Sequence, residues 1–123
     1  MSYVAVLGCE LKPVSPATGT VTVDANQQSK DVFVNGKGVY FKEIKFHVAG
    51  SNGGGSVTNN DGTGTGTILA SENDMLDKHG KCVMLEGDQV MNVRIDGHAG
   101  DESATGYITV KITKAGQVDV SLT

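Results

Sequence analysis

The residues of this chain that could hold a metal ion are three histidines and two cysteines. His79 and Cys82 stand three positions apart in the stretch KHGKC, a spacing that could chelate one ion. Zn²⁺ takes thiolate and imidazole ligands in tetrahedral geometry, so zinc is the cofactor that these residue types suggest. The other candidate ligands are His47, His98 and Cys9. Lone surface histidines and a buried apolar role for Cys82 are the structural alternative, and two cysteines are also compatible with reduced thiols or one disulfide.

Two pairs of neighbouring carboxylates could act in acid–base catalysis. Glu86 and Asp88 flank a glycine, and Asp101 and Glu102 stand side by side in a polar stretch. General acid–base catalysis needs a partner group within hydrogen-bond reach, and the spacing places no histidine beside either pair. We therefore expect solvated surface charge at both pairs and predict that the protein is not an enzyme.

Two polar stretches, Ala49–Asp61 and Ala99–Gly106, are predicted to be surface loops. The three glycines at 53–55 lack both the Lys-Ser/Thr pair and the following helix of a phosphate-binding loop. The oxygen ligands at 59–61 suit Ca²⁺, but the pattern of a calcium loop is absent. One functional hypothesis is therefore a β-sandwich binding module that recognises a carbohydrate or a protein through these two loops.

Length and charge restrict the class of protein. The chain has 123 residues, which is typical of one domain, and a formal net charge of −4. Nucleic-acid-binding surfaces normally show a basic patch, so a chain whose lysines are scattered singly is not expected to bind nucleic acid. No apolar run approaches the roughly 20 residues of a membrane helix, and no basic segment precedes the short apolar start. We predict neither stable membrane insertion nor a signal peptide.

Apolar residues recur at every second position, which predicts an all-β domain of short antiparallel strands and hairpins. Asn35-Gly36 predicts a type I′ hairpin turn. A change of phase between Phe41 and Ile44 predicts a β-bulge near Lys42. In the part of the chain before residue 107, the residues predicted to face inward are Val21, Val23, Ile44, Phe46, Val48, Met91, Val93 and Ile95.

The end of the chain, residues 107–122, is predicted to be a hairpin. Its first arm places Ile108, Val110 and Ile112 inward, and its second arm Val118, Val120 and Leu122. Eight or nine such strands at this spacing are typical of a small sandwich, a barrel or a stacked β-structure.

Glycine occupies alternate positions in the stretch GTGTGT, at Gly62, Gly64 and Gly66. Each glycine inside a strand costs about 0.5–1 kcal/mol relative to alanine. A whole glycine face therefore predicts that another backbone lies almost against it. We take these three residues as a candidate surface for docking a partner or a second copy of the chain.

A weak internal repeat carries a resemblance to a known family. Residues 34–39 and 78–83 align as x-x-Gly-Lys-x-Val, and residues 95–98 echo the same turn. GTGTGTILAS, followed by NDMLDKHGKCVMLEGDQV, resembles the closing half of PAAR-like domains, and DVFVNGKGVYF resembles the first half. The resemblance covers about residues 31–92. It departs from the family where Cys82 replaces a common proline and where 107–122 has no counterpart.

The resemblance implies a compact PAAR-like β-fold that forms the tip of the spike of contractile injection machines, such as type VI secretion systems and phage tails. It implies a trimeric β-helical spike protein as partner. It also implies a metal near the apex, bound by histidines with a cysteine, for which this chain offers His47, His79, Cys82 and His98. Such a protein would be cytoplasmic before assembly, and afterwards secreted or part of a phage or injection particle.

Overall fold

The computed structural model describes residues 2–52 and 61–122, and every regular element in them is a β-strand, which confirms the predicted all-β class. These residues contain no helix long and apolar enough to cross a membrane. The strands are β1 (Ser2–Tyr3), β2 (Glu10–Pro13), β3 (Thr18–Val23), β4 (Phe33–Val34), β5 (Lys37–Gly38), β6 (Glu43–Asn52), β7 (Gly62–Leu69), β8 (Gln89–Ala99), β9 (Glu102–Lys114) and β10 (Ser121–Leu122).

Six of the strands form one antiparallel sheet in the order β2-β9-β8-β7-β6-β3. Its two edge strands, β2 and β3, are joined by the short turn 14–17 and lie close together, so the sheet curls into a nearly closed barrel. Two smaller sheets, β1 with β10 and β4 with β5, lie outside this barrel sheet.

The barrel interior contains most of the residues that alternation predicts. Ile44, Phe46 and Val48 of β6 are buried, and so are Ile108, Val110 and Ile112 of β9. Met91 is an exception, with 61% of its surface exposed. The register of β8 shifts between Val90 and Val93, where Asn92 has φ +59°, and this irregularity turns Met91 outward.

Three short segments, 4–6, 39–41 and 83–85, form a closed ring of backbone hydrogen bonds. Tyr40 N donates to Ala5 O (3.0 Å), Met84 N to Tyr40 O (2.9 Å) and Ala5 N to Met84 O (2.9 Å). The last residue of each segment also bridges to the first of the next: Val6 to Val39, Phe41 to Val83 and Leu85 to Val4. The segments are therefore equivalent around a pseudo-threefold axis.

The ring divides the chain into three units, 4–38, 39–82 and 83–122. Each unit leaves the ring into two successive strands of the barrel: β2 and β3, β6 and β7, or β8 and β9. The last two pairs are hydrogen-bonded hairpins, whereas β2 and β3 are the edge strands. The chain then returns to the ring through a cap segment. We define the first cap segment as residues 32–38, the second as 75–82, and the third as 120–122 together with 2–3. In each cap, a backbone N–H of the ring donates to the incoming chain: Val39 to Val32 (3.0 Å), Val83 to Met75 (2.9 Å) and Val4 to Val120 (3.1 Å).

The predicted C-terminal hairpin over 107–122 is wrong. β9 pairs with β8 and β2, whereas β10 pairs with β1 at the other end of the chain. Val118, predicted to face inward, is 72% exposed. Alternation identifies the two faces of a strand but not its neighbour, and the true neighbours of β9 and β10 lie elsewhere in the sequence.

Two further local predictions need correction. Ala99–Gly106 is not a loop, because β8 and β9 continue through it to the two-residue turn Gly100-Asp101. The phase change near Lys42 is a γ-turn rather than a bulge: Lys42 has φ +71°, and Glu43 N donates to Phe41 O at 2.8 Å. In the other two units this turn is one residue longer and contains Gly8 or Gly87.

Candidate functional site

The cap is the part of the molecule where the pseudo-threefold arrangement reaches the surface. The hairpin turn predicted at Asn35-Gly36 is confirmed, with φ +53° and +77°, both positive as a type I′ turn requires. Gly80 occupies the equivalent place in the second cap segment, with φ +76°. The repeated Gly-Lys motif therefore marks equivalent turns. In the third cap segment, β1 and β10, which come from opposite ends of the chain, pair with each other.

Each unit exposes a large apolar side chain on or beside its cap segment. Phe33 is 56% exposed, Leu76 52% and Val118 72%. Phe33 and Leu76 are structurally equivalent, because Phe33 pairs with Gly38 and Leu76 bridges to Cys82. These three exposed side chains are candidates for a protein-docking surface at the cap segments.

A groove of about 550 Å³ lies between residues 27–32 of the first unit and the second cap segment. Its lining includes four of the ten Lys and Arg residues of the chain, all of them lysines. We call this feature the lysine groove. Val32, which is 41% exposed, and Phe41 supply apolar surface. The titratable residues in the lining are Lys30, Asp31, Lys42, Asp77, Lys78, His79 and Lys81.

One wall of the lysine groove is the tight turn 77–81, which Asp77 holds together. Its Oδ1 accepts hydrogen bonds from His79 N (2.8 Å) and Lys81 N (2.9 Å), while Gly80 N donates to Asp77 O (3.0 Å). The backbone N–H of Lys81, more than any other contact, lowers the pKa of Asp77 below its usual range. The turn thus displays Lys78, His79 and Lys81 on a short, well-bonded loop.

The opposite wall of the lysine groove consists of residues 27–32, and hydrogen bonds from side chains to the backbone stabilise it. Ser29 Oγ accepts from Asp31 N (3.1 Å) and Val32 N (3.0 Å). Gln27 donates to Lys45 O (2.7 Å) and accepts from Lys45 N (2.6 Å), which attaches this wall to β6. Lys78 Nζ lies 3.0 Å from Asp31 Oδ2, so one exposed ion pair joins the two walls.

The structure does not bring the predicted metal ligands together. His47 Nδ1 lies 3.0 Å from Asp24 Oδ1, and His98 Nδ1 lies 3.2 Å from Asp61 Oδ2. His79 lines the lysine groove. Among residues 2–52 and 61–122, no group of three or more His, Cys, Asp or Glu side chains could hold a metal ion. The zinc site stays a prediction without a described ligand cluster.

Both cysteines are free thiols and half-buried. Cys82 Sγ donates to Asn73 O at 3.4 Å. Cys9 packs against the barrel core beside Tyr40, and burial raises the pKa of its thiol to about 11. Burial also raises the pKa of Tyr40 to about 12, with a smaller contribution from Cys9. Neither cysteine forms the disulfide that the count alone allowed.

The glycine face of β7 is covered by the chain itself. An added Cβ on Gly64 would collide with the carbonyl oxygen of Arg94, and one on Gly62 would lie 2.8 Å from Ser51 O. At Gly66 the neighbour is the Phe46 ring, at 2.6 Å. The predicted close backbone approach is therefore confirmed at Gly62 and Gly64, whereas at Gly66 the close neighbour is a side chain. Docking of a partner through these glycines stays a prediction, and the space beside their Cα atoms is occupied within the same chain.

The predicted carboxylate pairs divide between two ends of the molecule. Glu86 Oε1 accepts from Ala115 N (3.0 Å), and Asp88 accepts from Leu85 N (2.9 Å) and Ser71 Oγ (2.7 Å). These bonds stabilise the turn that leads from the ring into β8. Asp101 and Glu102 lie at the tip of the β8–β9 hairpin. The predicted loop Ala49–Asp61 needs correction at its start, because residues 49–52 belong to β6. Residues 53–60 of this stretch lie outside the described part, including the candidate calcium ligands Asn59 and Asn60.

Sequence reasoning missed the lysine groove and the role of Gln117. The lysines of the groove come from three separate stretches of the chain, so their spacing carries no signal beyond the pair Lys78 and Lys81. Gln117 is buried, and its amide makes four hydrogen bonds, to Val4 O, Val120 O, Asp119 N and Val120 N (2.7–2.8 Å). A single glutamine in a polar turn gives no indication of such a role.

Comparison of the chain with protein-family models, with curated proteins and with solved structures finds no match. Any functional conclusion therefore depends on the geometry described above and on the motifs in residues 31–92.

Proposed function

We propose that this protein is a non-enzymatic docking component that caps the trimeric β-helical spike of a contractile injection apparatus. The observation that carries the proposal is the closed ring of three equivalent segments, 4–6, 39–41 and 83–85. The ring gives one chain three similarly built cap segments around one axis.

Symmetry is the physical reason for this partner. A trimer presents three identical surfaces around its axis, and each of them can be contacted only by a surface of matching shape and direction. A monomer with a single docking patch would leave two of the three surfaces of the trimer uncovered. A chain with three equivalent cap segments can contact all three, and Phe33, Leu76 and Val118 offer apolar area near them.

The resemblance to PAAR-like domains supports the same partner. Its two Gly-Lys motifs, at 34–39 and 78–83, are the turns of two equivalent cap segments. The resembling stretch, about 31–92, thus supplies two of the three caps. The barrel strands β2, β3 and β9 lie outside it.

Co-expression with the spike protein from the same gene cluster tests the proposal. We expect one copy of this chain to co-elute with one spike trimer, as measured by size-exclusion chromatography with light scattering. Leu76→Glu should weaken the complex by about 10-fold or more, because a charge would enter an apolar contact. Met91→Glu is the matched control, since Met91 is similarly exposed, at 61%, but lies on the barrel strand β8.

Two results would contradict the proposal. One is a chain that elutes alone, or as its own oligomer, while the spike trimer elutes separately. The other is a complex that Leu76→Glu and Met91→Glu weaken equally, because docking would then not use the cap.

A further inference from the structure

We infer that the lysine groove binds an acidic peptide segment of a partner protein. This inference goes beyond the proposed function, because it concerns a charged groove between the first and second units and not the threefold arrangement. The position of Lys42 shows the difference. Its equivalents in the other two units are Leu7 and Glu86, and each of the three residues donates its backbone N–H to the cap segment of its own unit (2.8–2.9 Å).

Charge is the first argument. The groove collects Lys30, Lys42, Lys78 and Lys81 on a chain whose formal net charge is −4. Its two carboxylates are already engaged, Asp77 by two backbone N–H groups and Asp31 by Lys78. In the described part of the chain, neither Lys30 nor Lys81 forms an ion pair. Their charges are therefore available to carboxylates of a ligand.

Shape and apolar surface are the second argument. The groove has a volume of about 550 Å³ and is open between two walls, which suits a few residues of an extended chain. Val32 and Phe41 lie in the same lining as the lysines. A ligand that combines carboxylates with one apolar side chain would satisfy both parts of the groove. Such a combination is typical of acidic peptide segments.

A peptide fits this surface better than a nucleic acid does. A duplex carries about one negative charge per 1.7 Å along its axis and extends far beyond a groove of this size. Beyond the groove it would meet a chain with 14 acidic residues, which would repel it. The groove also contains no arginine, because the single arginine of the chain, Arg94, lies on β8. A short peptide can keep its carboxylates within the groove.

Fluorescence anisotropy tests the inference with a labelled peptide of four glutamates around one leucine. We expect binding that weakens as salt increases, because the attraction is between exposed charges. The same peptide with glutamines in place of the glutamates should bind at least about 10-fold more weakly. Absence of binding to the acidic peptide, or equal binding to the glutamine peptide, would overturn the inference.

Paired variants locate the site. Lys30→Glu with Lys81→Glu should weaken peptide binding by about 10-fold or more, whereas Lys111→Glu with Lys114→Glu, at exposed positions of β9, should change it less than about twofold. The two double variants have the same net charge, so an equal loss in both would contradict the groove as the site. Lys30→Gln with Lys81→Gln, checked by circular dichroism, tests the same contacts without adding repulsion and should also weaken binding.

Two controls distinguish peptide binding in the groove from nucleic-acid binding and from docking to the spike. A single-stranded oligonucleotide that binds more tightly than the acidic peptide would assign the groove to nucleic acid and overturn the inference. Co-elution with the spike trimer is measured separately, so peptide binding without co-elution would reject only the proposed function. Co-elution without peptide binding would reject only the peptide inference.

Discussion

Asp77 shapes one wall of the lysine groove through hydrogen bonds to the backbone of its own turn. Its carboxylate closes the turn that displays Lys78, His79 and Lys81 in the lysine groove. The sequence DKHGK predicts a turn, because aspartate and glycine favour one. It does not predict that the turn faces residues 27–32, which depends on how the first and second units pack.

The pH dependence of stability is one test of this role. The pKa of Asp77 is lower in the folded protein than in the unfolded chain, so its contribution is present above the unfolded value of about 3.9 and is lost as pH falls through the lower folded value. Asp77→Asn keeps an oxygen acceptor but cannot titrate. We expect the variant to be less stable than the wild type at pH 7 and the difference to shrink as pH falls below about 3.9, the unfolded value.

Urea denaturation at pH 7, 5 and 3 measures this difference. Asp77→Ala is the comparison variant, because it removes the acceptor at every pH and should stay less stable throughout. A stability difference between wild type and Asp77→Asn that is the same at pH 7 and pH 3 would contradict the assigned role.

Among the elements, β7 shows why a strand tolerates glycine on one whole face. β7 and β8 share a single ladder pair, Thr63 with Asp96, and beyond it the backbone of Arg94 lies against Gly64. A side chain at Gly64 would separate the second and third units of the barrel. The alternating glycines are therefore explained by packing within the chain.

Gly64→Ala should consequently lower the free energy of unfolding by about 2–3 kcal/mol, because the added methyl group overpacks the contact with Arg94. Thr65→Ala on the exposed face of the same strand is the control, with an expected change within about 0.5 kcal/mol. Urea denaturation followed by circular dichroism gives both values. Equal stability of Gly64→Ala and wild type would show that β8 can move away without cost.

The whole molecule is organised by the pseudo-threefold ring, which the chain completes with both of its ends. Val120 lies in the third cap segment and Val4 in the adjoining ring segment, and Gln117 connects them by donating to both carbonyl oxygens at 2.8 Å. In the other two caps a covalent turn makes this connection. The hydrogen bonds of Gln117 thus make a connection that a covalent turn makes in the other two cap segments.

Gln117→Leu should lower the free energy of unfolding by about 2–4 kcal/mol, because several buried backbone groups would lose a partner at once. Gln89→Leu, at an exposed position on β8, is the control and should cost less than about 0.5 kcal/mol. The midpoint of urea denaturation reports the effect. A midpoint for Gln117→Leu that equals that of Gln89→Leu would mean that the third cap does not depend on the glutamine.

The sequence by itself determined the all-β class, the turn at Asn35-Gly36, the inward faces of β6 and β9, and the need for a close neighbour at the glycine face. These properties follow from the period of apolar residues and from glycine conformations, which are local. Only the tertiary structure decided that Val4–Val6 completes the ring, that β10 pairs with β1, and that four lysines meet in one groove. Contacts between distant segments leave no spacing in the sequence, so alternation and motifs cannot assign them.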